Sequence, residues 1–312
     1  MNPTIPYFAV ELAAPDLSAW RPGNTGIEGV WRFDAISPGP HTVLMSLLHG
    51  NEIAGAIVLA GLLRSGVRPA RGRLTLIFGN LAAFDRFDPA QPTGSRFVDE
   101  DLNRLWEPAV LDGTRHSAEL DRARALRPVI DTADLLLDLH SMLWPSDPLI
   151  LCGPAAKGRA LAAAIGTPGL VVADHGHQTG PRLIDYARFT DPGQLCAACL
   201  VEAGQHWQPG TVEVTRRCVD ALLRYAGMLP SSLDAGASGQ RCAEVTLAVT
   251  AATGGFAFVQ PFRGGEVIAQ RNTLIALDGT TEIRTPHDDC LLVMPSLRPS
   301  RGHTAVRLAR FV

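Results

Sequence analysis

Lysine is almost missing from this chain of 312 residues: Lys157 is the sole example among 28 basic side chains, and arginine supplies the others. The basic residues form no dense cluster, and the formal net charge is only −3. A nucleic-acid-binding surface normally shows a concentrated patch of positive charge. The composition therefore argues against a nucleic acid as a partner.

Long uninterrupted apolar stretches are also missing, so no segment is long enough to span a bilayer. Residues 1–20 contain acidic residues and proline but no basic segment followed by an apolar core, so they do not match a secretory signal. These absences predict a soluble, cytoplasmic protein with no membrane partner. With 46% hydrophobic residues the chain can bury a sizeable core, and its length favours two domains.

The six cysteines are scattered between positions 152 and 290, without the spacing of a disulfide framework. Cys196 and Cys199 form an isolated C-x-x-C pair, a spacing found in redox pairs and in half of a zinc site. No second pair lies at zinc-finger spacing. We therefore expect these two residues to be small buried thiols.

Apolar strand patterns and Ala-rich helix patterns alternate through the first 230 residues. Strands are predicted at 43–48, 73–78, 134–139, 149–152, 170–172 and 199–201, and helices at 52–64, 116–127, 157–165 and 211–226. The first strand, helix and second strand form a β-α-β unit, which should be parallel and right-handed. The expected fold class is α/β, with a mixed, mostly parallel sheet flanked by helices and loops at 85–105 and 174–195.

A segment rich in Ser, Gly, Ala and Pro at 230–239 has the composition of a linker. Beyond it, short Val, Thr, Ile and Leu runs are interrupted by glycine pairs at 254–255 and 264–265. This pattern predicts a small all-β domain. The expected division is a larger α/β domain at 1–230 and a small β-rich C-terminal domain at 231–312.

The most informative stretch is His49-Gly50-Asn51-Glu52, directly after the strand predicted at 43–48. Ligands of open α/β sheets bind at the carboxyl ends of the strands, which is where this stretch lies. A His and a Glu separated by two residues can bind one zinc ion, and a catalytic zinc takes a third protein ligand and leaves a position for water. His140 ends another predicted strand and is the expected third ligand. Taken singly, each histidine could equally be a polar cap on a buried strand.

Amide hydrolysis also needs a carboxylate that takes a proton from water and passes it to the leaving amine. Glu202 follows the apolar run 199–201 and is the candidate, although such a residue could also be a solvated strand end. Asp138 lies two positions before His140, so the two side chains should share one face of a strand. Asp138 could accept a hydrogen bond from a metal-binding imidazole or could be an ordinary cap.

Arg96, Asn103 and Arg104 lie on the long predicted loop 85–105. Arginine forks bind carboxylates through two hydrogen bonds, and an asparagine can donate beside them. A negatively charged acyl amino acid would fit such a loop. Alternatively, the acidic residues 99–101 could pair with these arginines at the surface.

Together these motifs resemble the succinylglutamate desuccinylase/aspartoacylase family, within the wider zinc carboxypeptidase-like fold. The matching segments are His49-Gly50-Asn51-Glu52, Arg96-x-x-Asp99-x-Asp101-Leu102-Asn103-Arg104, Asp138-Leu139-His140-Ser141 and Glu202-x-Gly204. The resemblance covers about residues 40–205, and the C-terminal domain fits in kind only. It implies that His49, Glu52 and His140 bind one Zn²⁺ per chain and that Glu202 is the general base and acid.

By the same resemblance, Arg96 helps to polarise the scissile carbonyl, and Asn103 and Arg104 hold a substrate carboxylate. Aspartoacylases complete this pocket with an arginine some ten residues before the catalytic glutamate and with a tyrosine from the C-terminal domain. Here only Arg182 and Arg188 are available upstream, and Arg188 is the expected substrate-binding residue. The C-terminal domain lacks tyrosine, because the chain's three are Tyr7, Tyr186 and Tyr225. These departures argue against N-acetylaspartate as the substrate.

The sequence thus predicts a zinc-dependent amidohydrolase that removes an acyl group from a small N-acyl amino acid or a related amide. A zinc carboxypeptidase acting on short peptides is an alternative, because the loop from Arg96 to Arg104 would serve a terminal carboxylate in either case. A zinc-containing binding protein without turnover is a third possibility. Other divalent metals could occupy the same ligands, and a homo-oligomer is compatible with the sequence.

Overall fold

A computed structural model describes residues 9–177, 179–230 and 239–312 of the chain. In this part of the chain fourteen strands form one eleven-stranded sheet and one three-stranded sheet. The strands are β1 (Val30–Asp34), β2 (His41–Ser46), β3 (Arg73–Phe78), β4 (Leu135–Met142), β5 (Leu149–Leu151), β6 (Leu170–Ala173), β7 (Ala197–Gln205), β8 (Arg241–Thr250), β9 (Phe256–Phe258), β10 (Val267–Ile268), β11 (Leu274–Asp278), β12 (Thr281–Arg284), β13 (Cys290–Val293) and β14 (Thr304–Phe311).

The helices flank the large sheet, and the four longest match the predicted helices to within a few residues, whereas the shorter ones were not predicted. They are α1 (Ile53–Arg64), α2 (Leu81–Phe84), α3 (Pro108–Leu111), α4 (Ala118–Ile130), α5 (Ala156–Ile165), α6 (Ala187–Thr190) and α7 (Pro209–Tyr225). The two predicted loops also contain single 3₁₀ turns, at Leu102–Arg104 and Leu183–Asp185. None of the described helices is long and apolar enough to cross a membrane.

The centre of the large sheet is parallel. β2 lies between β3 and β4 and is parallel to both, and β4 is in turn parallel to β7. β1 and β5 pair antiparallel with β3 and β7, which makes the sheet mixed. The predicted α/β class and the parallel β-α-β unit are therefore confirmed.

The C-terminal strands continue the large sheet. β8 pairs parallel with β6, and β14, β13 and β10 follow in antiparallel order. β9, β11 and β12 form the small separate sheet, which confirms the β-rich character of this region. The division at 230/231 stays a prediction, and the linker predicted at 230–239 falls almost entirely on residues 231–238, outside the described residues, as do residues 1–8.

Strand β2 is buried along its whole length, because helices cover both faces of the sheet. Leu44 contributes to the core beneath α1 and α7, whereas Val43 and Met45 contribute to the core on the opposite face, beneath α4. This alternation explains why the sequence of the strand is an uninterrupted apolar run. All six cysteines are free thiols, and Cys196 and Cys199 are buried, as expected.

The ends of three strands differ from the prediction in a way that concerns the site. β2 ends at Ser46, so His49 lies on the turn between β2 and α1 rather than at the last position of the strand. The predicted strands 134–139 and 199–201 end one residue before His140 and Glu202. In the structure β4 and β7 extend to Met142 and Gln205, so both residues lie inside strands. The polar residues still lie at the carboxyl edge of the sheet.

Candidate metal and substrate site

The turn between β2 and α1 is tightly packed against a neighbouring segment. A Cβ atom at Gly50 would lie 2.4 Å from the backbone carbon of Ala83, so only glycine fits there without movement of the backbone. The Gly50 amide donates to the carbonyl of Arg96 (3.1 Å), and the Glu52 amide donates to the carbonyl of His49 (3.1 Å). These contacts bring the side chains of His49 and Glu52 together.

The three predicted metal ligands converge. Nδ1 of His49 lies 2.7 Å from Oε1 of Glu52, and Nδ1 of His140 lies 3.0 Å from Oε2 of the same carboxylate. All three residues are buried, and one potential ligand atom from each lies within 4.8 Å of the others. Two imidazoles and a carboxylate are the donor set of many catalytic zinc sites, so these residues fit a divalent metal ion.

Each imidazole also faces an aspartate through its other ring nitrogen. Nε2 of His49 lies 2.9 Å from Oδ1 of Asp101, and Nε2 of His140 lies 2.9 Å from Oδ2 of Asp138. Asp138 therefore lies on the same face of β4 as His140, two positions away, as the strand period predicts. Carboxylates in this position orient metal-binding histidines and select their tautomer.

The charges in this cluster depend on one another. Burial alone would raise the pKa of Glu52, but the two neighbouring imidazoles outweigh it and hold that pKa well below its usual range. Burial would lower the pKa of His140, but Asp138 and Glu52 outweigh it and raise that pKa well above its usual value. A metal ion bound by His140 would require the neutral imidazole.

Glu202 lies beside His140, because the two residues are partners in the pairing of β7 with β4. Burial, reinforced by the negative charge of Glu52, raises the pKa of Glu202 to about 8. Its Oε2 atom is buried and has no hydrogen-bond partner within the described chain. A nearby cation would favour the ionised carboxylate, which is the form that accepts a proton.

Arg96 lies against the ligand cluster. Its guanidinium is 3.3 Å from Oε1 of Glu52, 3.1 Å from Oδ2 of Asp101 and 2.8 Å from Nε2 of His49. The segment carrying Arg96 is tied to the turn at Gly50 by the hydrogen bond from that amide. The predicted loop thus places a positive charge at the edge of the three ligand candidates.

Asn103 and Arg104 extend the site along the same loop. Nδ2 of Asn103 is 3.3 Å from Nε2 of His140, and its Oδ1 accepts from the backbone amide of Leu183 at 2.7 Å. Arg104 lies 3.8 Å from Asp101. The alternative prediction, that the acidic residues 99–101 pair with these arginines at the surface, is therefore only partly correct. Asp101 does contact Arg96 and Arg104, but it does so inside the cavity.

All these side chains except Asp138 line one cavity of about 1060 Å³. The lining also includes Arg182 and several residues that had no role assigned from the sequence, among them His177, His206 and Arg307. His206 is buried, its Nδ1 lies 2.7 Å from Oγ of Ser141, and burial lowers its pKa to about 4. The position of His206 four residues after Glu202 was the one available signal for its place in the site.

Arg188 is not brought to the site. It lies on α6, and its Nε donates to the backbone carbonyl of Ala133 (3.0 Å), just before the start of β4 and at the opposite end of that strand from His140. Among the described residues Arg182 is the upstream arginine that lines the cavity, but its guanidinium is bound by Asp174 and Asp185. The expectation that Arg188 contacts the substrate therefore has no support in this arrangement.

A family model described as the succinylglutamate desuccinylase/aspartoacylase catalytic domain matches residues 38–226. The matched segment contains the three ligand candidates, the Arg96–Arg104 loop and Glu202. The chain belongs to the succinylglutamate desuccinylase/aspartoacylase family. The resemblance inferred from the motifs is thereby confirmed.

Individual proteins are similar to this chain in sequence or in structure. A succinylglutamate desuccinylase from Pseudoalteromonas atlantica is 33% identical over 119 residues, and the match spans about a third of that protein (32%) and 33% of this chain. A solved succinylglutamate desuccinylase from Vibrio parahaemolyticus has a TM-score of 0.68 at 16% identity, covering 91% of this chain and 86% of that one. A product-bound ectoine utilization protein from Ruegeria pomeroyi has a TM-score of 0.62 at 20% identity, covering 90% and 87%. At these identities the solved structures establish the fold.

Proposed function

We propose that the chain is a zinc-dependent amidohydrolase that removes an acyl group from a small N-acyl amino acid or a related amide. The observation that carries the proposal is the convergence of His49, Glu52 and His140 to within 4.8 Å of one another, beside the buried carboxylate of Glu202. The family and the name of the matched relative, a desuccinylase of an acylated amino acid, support the same class of reaction.

When bound by these three residues, a zinc ion would lower the pKa of a water molecule and polarise the scissile carbonyl. Glu202 takes a proton from the attacking water and then gives it to the nitrogen of the leaving amine, so the proton is conserved through the cycle. Asp101 and Asp138 hold the imidazole rings in the orientation that directs both Nδ1 atoms to Glu52.

Arg96 stabilises the carbonyl oxygen as negative charge develops on it. A guanidinium that already lies at hydrogen-bonding distance from the ligand cluster needs little reorganisation, which is the condition for effective electrostatic stabilisation. Asn103 and Arg104 lie further along the same cavity and hold the free carboxylate of the substrate. The reacting amide would lie between Arg96 on one side and Asn103 and Arg104 on the other.

The test is a hydrolysis screen of N-acyl amino acids and dipeptides with purified protein, combined with elemental analysis. We expect free amine from at least one N-acyl amino acid and about one zinc per chain. Preferential cleavage of dipeptides would instead favour a carboxypeptidase. Metal binding without turnover of any acyl amino acid would favour the non-catalytic alternative. Cytoplasmic location and a homo-oligomeric state stay predictions.

A further inference from the structure

Two guanidinium groups converge on one nitrogen atom in the cavity. Nε2 of His177 lies 3.1 Å from Nη2 of Arg104 and 2.7 Å from Nη2 of Arg307. A neutral imidazole offers a single acceptor lone pair on that nitrogen, so it cannot satisfy two cationic donors at once. Burial and the adjacent arginines hold the pKa of His177 far below its usual value, which keeps the ring neutral.

Arg307 comes from a distant part of the chain. It lies on β14, and its side chain is almost fully buried. Its other contact is Oδ2 of Asp174, 3.3 Å from Nε, but that carboxylate already binds both terminal nitrogens of Arg182 at 3.0 and 2.6 Å. Arg307 therefore shares the carboxylate of Asp174 with Arg182 and has no carboxylate of its own among the described residues.

The local charges do not balance. Arg104, Arg182 and Arg307 lie at this end of the cavity with Asp174 and Asp185, and Asp101 is more closely engaged by Arg96 and His49 than by Arg104. Burial also lowers the pKa of Arg104 to about 10 and lowers that of Arg307 from its usual value. A buried surplus of positive charge that faces a cavity is a site for an anion.

We propose that Arg307 and Arg104 form a clamp for the free α-carboxylate of the substrate, and that the ring nitrogen of His177 occupies the place of that carboxylate until the substrate binds. The clamp rests on the proposed function for the identity of its ligand. A carboxylate offers several lone pairs and a full negative charge, so it accepts from both guanidiniums where the imidazole accepts from one. Arg307 is then a residue that determines specificity for acyl amino acids over their neutral analogues.

The clamp can be tested by calorimetric binding to Glu202→Gln protein, which removes turnover of the probes. The probes are N-acetylalanine, N-acetylaspartate and N-acetylglutamate, each compared with its α-carboxamide. We expect at least one carboxylate to bind more tightly than its carboxamide. Adding Arg307→Gln should weaken the binding of that carboxylate about 10- to 100-fold, the range for a lost hydrogen bond between charged groups. The affinity for the carboxamide should not change.

Arg310→Gln is the matched control, because Arg310 lies three positions along β14 and is exposed. Arg307→Lys keeps the charge but loses the fork, so an intermediate loss is expected. If Arg307→Gln does not fold, carboxylate binding can still be measured with Arg307→Lys, or with Arg104→Gln, which removes the other arginine of the clamp. His177→Ala should keep or strengthen carboxylate binding, because it removes a competing acceptor.

Equal binding of every carboxylate and its carboxamide would overturn the clamp. An unchanged dissociation constant for the carboxylate in folded Arg307→Gln protein would also overturn it. The same holds if His177→Ala loses as much carboxylate affinity as Arg307→Gln. Binding is measured without turnover, which separates the two proposals. Absence of hydrolysis by wild-type protein contradicts the proposed function alone, whereas hydrolysis together with an unaffected Arg307→Gln variant contradicts the clamp alone.

Discussion

Nδ1 of His140 lies 3.0 Å from Oε2 of Glu52, although 88 positions separate the two residues. The pairing of β2 with β4 produces this contact, since Met45 is opposite Asp138 and Ser46 is opposite Leu139. A slip of one residue in this register would turn His140 to the other face of the sheet. The candidate metal site therefore depends on the register of the two central strands.

Glu202→Gln should reduce the rate of acyl-amide hydrolysis by about 10²–10⁴-fold, because glutamine cannot take or return the proton. The zinc content should not change, since Glu202 is not one of the three ligand candidates. Hydrolysis rate and metal content are measured on the same preparation. Glu213→Gln, at an exposed glutamate on α7, is the control and should match wild type. An active Glu202→Gln enzyme would remove Glu202 from the mechanism.

Asp138→Asn should weaken zinc binding by about 10- to 100-fold, the usual effect of losing a carboxylate behind a metal-binding histidine. Asp138 is fully buried, and its carboxylate lies 2.9 Å from Nε2 of His140. The substitution keeps the shape of the side chain but removes the negative charge that orients the ring. Competition with a chromogenic chelator measures the affinity, and an unchanged value would show that Asp138 has no part in the site.

Gly50→Ala should destabilise the fold by about 1–3 kcal/mol or more, because the new methyl group would overlap backbone atoms of a neighbouring segment. Its Cβ would lie 2.4 Å from the backbone carbon of Ala83. Gly61→Ala in α1 is the matched control, since a Cβ there meets nothing within 4 Å and alanine is the better helix former. Urea unfolding measures both variants, and equal stabilities would contradict the packing described for the turn.

His41 should make folding sensitive to pH. Burial lowers its pKa below the usual value, while Nδ1 lies 3.0 Å from the carbonyl of Thr132 and Nε2 lies 2.8 Å from Oγ1 of Thr75. The unfolded chain then binds a proton more readily than the folded one. The stability that neutral His41 contributes is thus present above about pH 6.5 and is lost as the pH falls through the folded pKa.

This dependence is measured as the difference in unfolding free energy between wild type and His41→Gln. Other titrating groups cancel in the difference, because both proteins contain them. We expect the advantage of wild type to shrink between pH 7 and pH 5. An advantage that stays constant, or that grows with acidification, would contradict the described environment of His41.

Much of the fold follows from local patterns. The strand at residues 41–46 and the helix at residues 53–64 were predictable because apolar runs and Ala-rich segments reflect burial on a layered sheet. The convergence of His49, Glu52 and His140 was predictable because ligand chemistry restricts residue types and because strand ends in such a sheet lie at one edge. Neither inference needed the packing of distant segments.

Other parts of the site depend on tertiary packing. Arg188 was expected at the pocket, but the short helix α6 within the predicted loop directs it to the carbonyl of Ala133. The sequence does not indicate Arg307, because only the pairing of β14 with β8 and the contact with His177 bring it to the cavity. An arginine among the apolar residues 305–309 was the available signal, and it does not identify a partner.

The most direct test of the central claim is the zinc content of purified wild-type protein and of the His140→Ala variant, measured by elemental analysis after dialysis against zinc. Three converging side chains predict about one zinc per wild-type chain and little in the folded variant, which keeps only the pair from the turn. Equal zinc in the two proteins, or none in either, would contradict a metal site built by His49, Glu52 and His140.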